Sequence, residues 1–138
     1  MNRAIENLAA SVVRGTLKNP RETAFILKLR DRLVRAMKKR ETAEKQGRHI
    51  PPFLISSIAT ECNLHCKGCY ARANGICSAG EEKALTAEEW QKIFEEAAGI
   101  GVSFNLLAGG EPLMRRDVLE AAACVKEMVF PVFTNGLL

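Results

Sequence analysis

The chain has 138 residues, 47% of them hydrophobic and 26% charged, a balance that fits one soluble globular domain and excludes collagen-like, disordered and disulfide-scaffold classes. Twenty basic against sixteen acidic residues leave a formal charge of +4, gathered between Lys28 and Arg48, so nucleic acid is not demanded as a partner. The apolar runs Phe53 to Ala59 and Val102 to Ala108 fall far short of the roughly 20 residues of a membrane span, and Met1 to Leu17 lacks the form of a secretion signal. A cytoplasmic chain with no membrane partner is expected.

Ile5, Leu8, Ala9, Val12 and Val13 recur at helical spacing and predict a first amphipathic helix ending near Gly15 to Asn19. Asn19 before Pro20 reads as an N-cap followed by proline at the first helical position. Ile26, Leu29, Leu33, Ala36 and Met37 continue one face of a second helix to about Gln46. Its opposite face carries Lys28, Arg32, Arg35, Lys38, Lys39 and Arg40, read as a solvated basic surface. Gly47 and Pro51-Pro52 close the segment, placing a boundary near residue 50.

Phe53 to Thr60 is apolar and β-branched, suited to a buried strand. A cysteine-rich loop follows, and then Thr86 with Glu89 forms a capping box for a helix whose apolar face is Trp90, Ile93, Phe94 and Ala97, ending at Gly99 and Gly101. Val102 to Ala108 reads as a second strand, Arg116 to Met128 as a helix, and Val129 to Thr134 as a third strand. Strands alternating with helices predict an α/β fold with a parallel sheet and functional loops at the carboxyl ends of the strands. No helix or further strand follows the third strand before Leu138, so the chain is expected to be part of a longer protein.

Five cysteines without a signal peptide argue for metal or redox chemistry rather than disulfides. Cys62, Cys66 and Cys69 stand in a C-x-x-x-C-x-x-C pattern directly after the first strand. Soft thiolates select an iron-sulfur cluster or zinc. A cubane cluster leaves one iron open when three cysteines bind it, whereas zinc wants a fourth protein ligand, for which His65 or Cys77 is available. The zinc alternative is an interaction module without catalysis.

Two further motifs follow in order: Gly109-Gly110-Glu111-Pro112 after the second strand and Thr134-Asn135-Gly136 after the third. With the cysteine motif they resemble the radical S-adenosylmethionine (radical SAM) superfamily over about residues 53 to 138. The resemblance implies the first half of a partial (βα) TIM-like barrel with parallel strands over residues 51 to 138, preceded by an α-helical N-terminal extension over residues 1 to 50.

By the same resemblance, Cys62, Cys66 and Cys69 ligate a 4Fe-4S cluster whose fourth iron binds S-adenosyl-L-methionine, and Glu111 accepts a hydrogen bond from the cofactor's amino group. Gly109 and Gly110 let the backbone approach the cofactor, or make a tight turn, or both. Asn135 is either a ligand or a turn residue. An external one-electron donor such as a flavodoxin or ferredoxin reduces the cluster, and cleavage of the cofactor gives methionine and a 5′-deoxyadenosyl radical that abstracts hydrogen from substrate. The substrate stays open, with a peptide or protein favoured by analogy.

Gly68 occupies a position between the second and third cysteines that many members fill with an aromatic. Tyr70 stands nearby as an adenine contact or a loop anchor. His65 is read as solvated or as supporting a ligand, Cys77 as an unpaired loop thiol or an auxiliary ligand, and Cys124 as a small buried hydrophobe.

Overall fold

The computed structural model describes residues 19–77 and 84–138. The helix expected from Ile5 to near Gly15 lies outside the described residues. The elements run α1 (Pro20–Lys45), β1 (Phe53–Ala59), α2 (Tyr70–Ala73), α3 (Ala87–Ile100), β2 (Phe104–Gly109), a 3-10 turn (Pro112–Met114) and α4 (Arg116–Cys124). The chain divides into two compact units, 1–34 and 35–138, with α1 running through the division.

In the first unit, the Asn19 side-chain oxygen accepts from the Arg21 amide at 3.1 Å and its carbonyl accepts from the Thr23 amide at 3.0 Å. Pro20 opens the helix where an amide would have no intrahelical partner anyway. Ile26, expected on the apolar face, is exposed.

In the second unit, α1 buries Ala36 and Ala43 and leaves Met37 exposed. Its basic face is only partly the solvated surface expected. Lys39 Nζ donates to the Ala98 carbonyl at 3.2 Å, and the Arg40 guanidinium donates to the Gly101 carbonyl and, at 2.8 Å, to Ser103 Oγ. Cations here meet carbonyls at the C-terminal end of α3, where a helix end favours positive charge.

β1 and β2 pair in parallel, Phe53 opposite Phe104, with the register slipping between Ser57 and Ala59. The third strand is reduced to single parallel bridges from Val129 to Phe104 and from Val132 to Leu107. Pro131 sits between them; it has no amide to give, although its carbonyl accepts from the Leu107 amide at 2.8 Å. β2 is therefore flanked on both sides.

Helices cover one face of the sheet. Ile58 and Leu107 join Phe94, Ala97, Ala98, Val118 and Ala122 in the core. Phe94 stacks on Trp90 with ring centroids 5.5 Å apart and meets the edge of Phe130 at 5.0 Å. The other face is open and apolar among the described residues, with Phe53, Ile55 and Phe133 exposed. Asn105 is buried on β2 with neither side-chain amide atom hydrogen-bonded among the described residues.

The Thr86–Glu89 capping box forms in both directions, at 3.2 and 2.8 Å, and α3 ends on Gly101 in the left-handed conformation. α4 is shorter than its periodicity predicts. It stops at Cys124, because Val125 turns extended and continues into the core while Cys124 itself is exposed. The expectation that Cys124 is a buried hydrophobe is therefore corrected. The short helix α2, directly after Cys69, was not visible in the periodicity.

Candidate cofactor site

The ends of β1, β2 and the third extended segment lie side by side, so the loops that follow them converge, as parallel α/β architecture requires. A cavity of about 480 Å³ opens there, lined by Cys62, Cys66, Cys69, Gly110, Glu111 and Asn135 together with apolar walls from the open sheet face. Gly109 and Tyr70 also line it. The candidate residues, scattered over three loops in sequence, are thus gathered on one cavity. A second cleft, of about 540 Å³ beside Thr86 and Asp117, holds none of them.

Pairing continues past the strand ends. The Gly110 amide donates to the Ala59 carbonyl at 2.7 Å and the Glu111 amide to the Glu61 carbonyl at 2.8 Å. A Cβ on Gly109, whose φ is +119°, would fall 2.4 Å from the Ala59 carbonyl oxygen, and one on Gly110 would fall 2.0 Å from that of Glu61. What the paired glycines visibly admit is the protein's own chain, namely the segment that carries Cys62.

The three cysteines are free thiols, Cys66 exposed and the other two half-buried. The Leu64 amide points at Cys62 Sγ at 3.4 Å, and Arg72 ties the loop to α2 by donating to the Leu64 carbonyl at 3.1 Å. The Tyr70 hydroxyl accepts from the Gly109 amide at 3.3 Å and donates to the Gly109 carbonyl at 3.5 Å. Tyr70 therefore anchors the cysteine loop to the glycine turn while its ring remains on the cavity wall.

His65 and Cys77, the side chains available as a fourth zinc ligand, do not line the cavity. Among the described residues, no group of three or more His, Cys, Asp or Glu is gathered as a single metal ion would require. A cubane asks for a different arrangement, since its cysteines bind different irons. Burial first, then the neighbouring Cys69 and Cys62, push the pKa of the Cys77 thiol up, and Arg72 opposes them only in part.

Glu111 is the most constrained side chain of the site, with 1% of its surface exposed. Oε1 accepts from the Leu113 amide at 3.0 Å and from Thr134 Oγ at 2.8 Å, and Oε2 accepts from the Asn135 amide at 2.8 Å. Burial pushes its carboxyl up, but the Asn135 and Leu113 amides and the Thr134 hydroxyl outweigh it and hold the pKa below the ordinary value. It is a carboxylate at neutral pH, an acceptor suited to an ammonium or a metal-bound amine.

Asn135 approaches Glu111 through its backbone, and its side-chain nitrogen donates to Asn63 Oδ1 at 2.8 Å. Two contributors were missed as site residues. Thr134 was legible as part of its motif, but no spacing shows that its hydroxyl reaches Glu111; Asn63 gave no signal beyond lying among the cysteines.

A family model described as the radical SAM superfamily matches residues 56–137, more than half of the chain. The chain is 37% identical over 89 residues to an Fe-coproporphyrin III synthase of Methanosarcina barkeri, covering 63% of this chain and 22% of that protein. It is 37% identical over 96 residues to a PqqA peptide cyclase of Rhizobium meliloti, covering 69% and 24%, and 34% identical over 90 residues to a GTP 3′,8-cyclase of Alkaliphilus oremlandii, covering 62% and 28%. No solved structure matches.

With thiols, glycine turn and carboxylate in the order and place found here, the chain belongs to the radical SAM superfamily. Enzymes of this superfamily use a 4Fe-4S cluster and S-adenosylmethionine. The mixed helix and strand architecture with its parallel pair agrees with part of the superfamily's (βα) fold. The matched stretches amount to about a quarter of the length of these relatives.

Proposed function

We propose that this chain is the cofactor-binding part of a radical SAM enzyme, with its parallel strands forming the opening of a TIM-like barrel. The observation that carries the reading is the single cavity on which Cys62, Cys66, Cys69 and Glu111 meet. The donor set fits the group: three free thiols for a cubane, and beside them a buried carboxylate kept ionised for an amine.

In this reading Cys62, Cys66 and Cys69 hold the 4Fe-4S cluster, and Gly109, Gly110, Glu111 and Asn135 form the S-adenosylmethionine side. When bound, the cluster and cofactor supply one-electron cleavage of a carbon-sulfur bond, giving methionine and a 5′-deoxyadenosyl radical for hydrogen abstraction, the electron coming from an external flavodoxin or ferredoxin. The chain's own residues bind and orient. Glu111 fixes the amine end of the cofactor, Ile55, Leu106 and Phe133 offer it an apolar wall, and the Leu64 amide directed at Cys62 Sγ stabilises negative charge on that sulfur.

Three relatives whose names specify a porphyrin product, a peptide and a nucleotide match this chain at similar identity, so the shared stretch carries what they have in common rather than what they act on. For the substrate itself we favour a peptide or protein, supported by the likeness to the PqqA peptide cyclases.

Anaerobic reconstitution followed by metal analysis and electron paramagnetic resonance tests the reading. About four irons and four sulfides per chain, with a reduced-state spectrum that changes on adding S-adenosylmethionine, are expected. One zinc, no sulfide and no response to the cofactor would overturn it.

A further inference from the structure

Around Glu111 the geometry fixes where the protons lie. The Gly136 amide donates to Thr134 Oγ at 3.0 Å, so that oxygen is already an acceptor from its own turn, and its proton goes to Glu111 Oε1 at 2.8 Å. The Leu137 amide donates to Asn135 Oδ1 at 3.0 Å, which fixes the orientation of that side-chain amide and leaves its nitrogen to donate to Asn63. Oε1 of Glu111 then carries two donors and Oε2 one. A carboxylate has about four lone-pair positions, so one acceptor position, on Oε2, is left for the cavity that Glu111 lines.

Resting on the functional reading above, we infer that Thr134 and Asn135 are positioning residues: their turn locks the Glu111 carboxylate in one orientation with a single Oε2 lone pair left for the cofactor amine, and the Asn135 side chain holds the cysteine loop instead of touching the cofactor. Each part of Asn135 has a separate task. Its backbone N–H serves Glu111, and its side chain reaches Asn63, the neighbour of Cys62. One residue thereby sets the carboxylate and the first cluster ligand in register. Thr134 works through its hydroxyl alone, and the Gly136 amide aims that hydroxyl.

The test is a titration of the anaerobically reconstituted full chain with S-adenosylmethionine, followed by paramagnetic resonance. Thr134→Val keeps the shape and removes the hydroxyl; it is expected to weaken cofactor binding by about tenfold or more, with iron and sulfide content unchanged. Thr134→Ser, which restores the hydroxyl, stays within about threefold of the parent, a rescue that bulk packing alone does not give. In a Glu111→Gln background, Thr134→Val costs no further affinity, because its effect passes through that carboxylate. Asn135→Ala keeps the backbone N–H and loses less affinity than Thr134→Val.

Four results overturn the inference while leaving the functional reading intact: Thr134→Val binding as the parent does, failure of Thr134→Ser to rescue, losses from Thr134→Val and Glu111→Gln that add, or Asn135→Ala losing as much as Thr134→Val. A parent chain that holds its cluster and gives no response to S-adenosylmethionine overturns the functional reading, and the positioning role falls with it.

Discussion

On one side of the cavity Glu111 is 1% exposed and holds three hydrogen bonds; on the other, Cys66 is an exposed thiol in a loop held by a handful of bonds at its edges. The difference follows from what each side has to bind. A carboxylate that receives an amine gains only one more hydrogen bond on binding, so its direction has to be set in advance by the protein. Thiolates that bind iron gain coordination bonds strong enough to order a loop when the metal arrives. The carboxylate side is pre-built, and the cysteine side is completed by its ligand.

The sharpest way to break this contrast is Cys66→Ala. Its expected effect on cofactor chemistry is the largest of any substitution here: iron and sulfide retention after reconstitution fall close to nothing. Its expected effect on the cluster-free fold is within about 0.5 kcal/mol, because the residue is exposed. Urea unfolding of the cluster-free chain supplies the second number. A marked loss of stability there would show that the cysteine loop is already built without its metal, and the contrast would fail.

Gly110→Ala probes the seam between the two sides. Its Cβ would meet the Glu61 carbonyl oxygen at 2.0 Å, and backbone rather than a flexible side chain has to give way, so a loss of about 3 kcal/mol in urea unfolding is expected. Gly68, between the second and third cysteines, has nothing within 4 Å of its Cβ position but a φ of +79°. Gly68→Ala should cost only about 1 kcal/mol, that of the backbone conformation. Equal losses at the two glycines would mean that the cysteine loop is as tightly packed as the seam.

The same contrast explains what the sequence made legible. Capping chemistry is local, so Thr86 with Glu89 and Asn19 with Pro20 could be placed to the residue. The three motifs fall at strand ends because parallel topology puts loops there. Helix α4 ends early, since periodicity does not register that Val125 leaves the helix to enter the core. The third strand is interrupted at Pro131, which has no amide to give to a ladder, whereas the apolar run Val129 to Thr134 reads as continuous. Lys39 and Arg40 resemble any solvated cations until α3 presents its terminal carbonyls. The clamp on Glu111 joins residues separated by more than twenty positions, and nothing in spacing encodes such a contact.

A pH-dependent difference in stability tests the pre-built side directly. Glu111 has a lower pKa in the fold than in the unfolded chain, where a glutamate titrates near 4.3. The folded state therefore takes up its proton less readily than the unfolded state, and the stability contributed by the ionised form is fully present above the unfolded value. That contribution is lost as pH falls through the folded value. Glu111→Gln removes the titration and sets an amide nitrogen against a donor, either the Asn135 N–H or the pair at Oε1, so a loss of about 2 kcal/mol at neutral pH is expected. Urea unfolding of both chains from pH 7 down to about pH 3 should show the gap narrowing below about pH 5, since only the parent has this ionised carboxylate to lose. If the two curves fall in parallel instead, the hydrogen bonds around Glu111 do not hold its charge in the folded state, and the carboxylate waits for its ligand just as the thiols do.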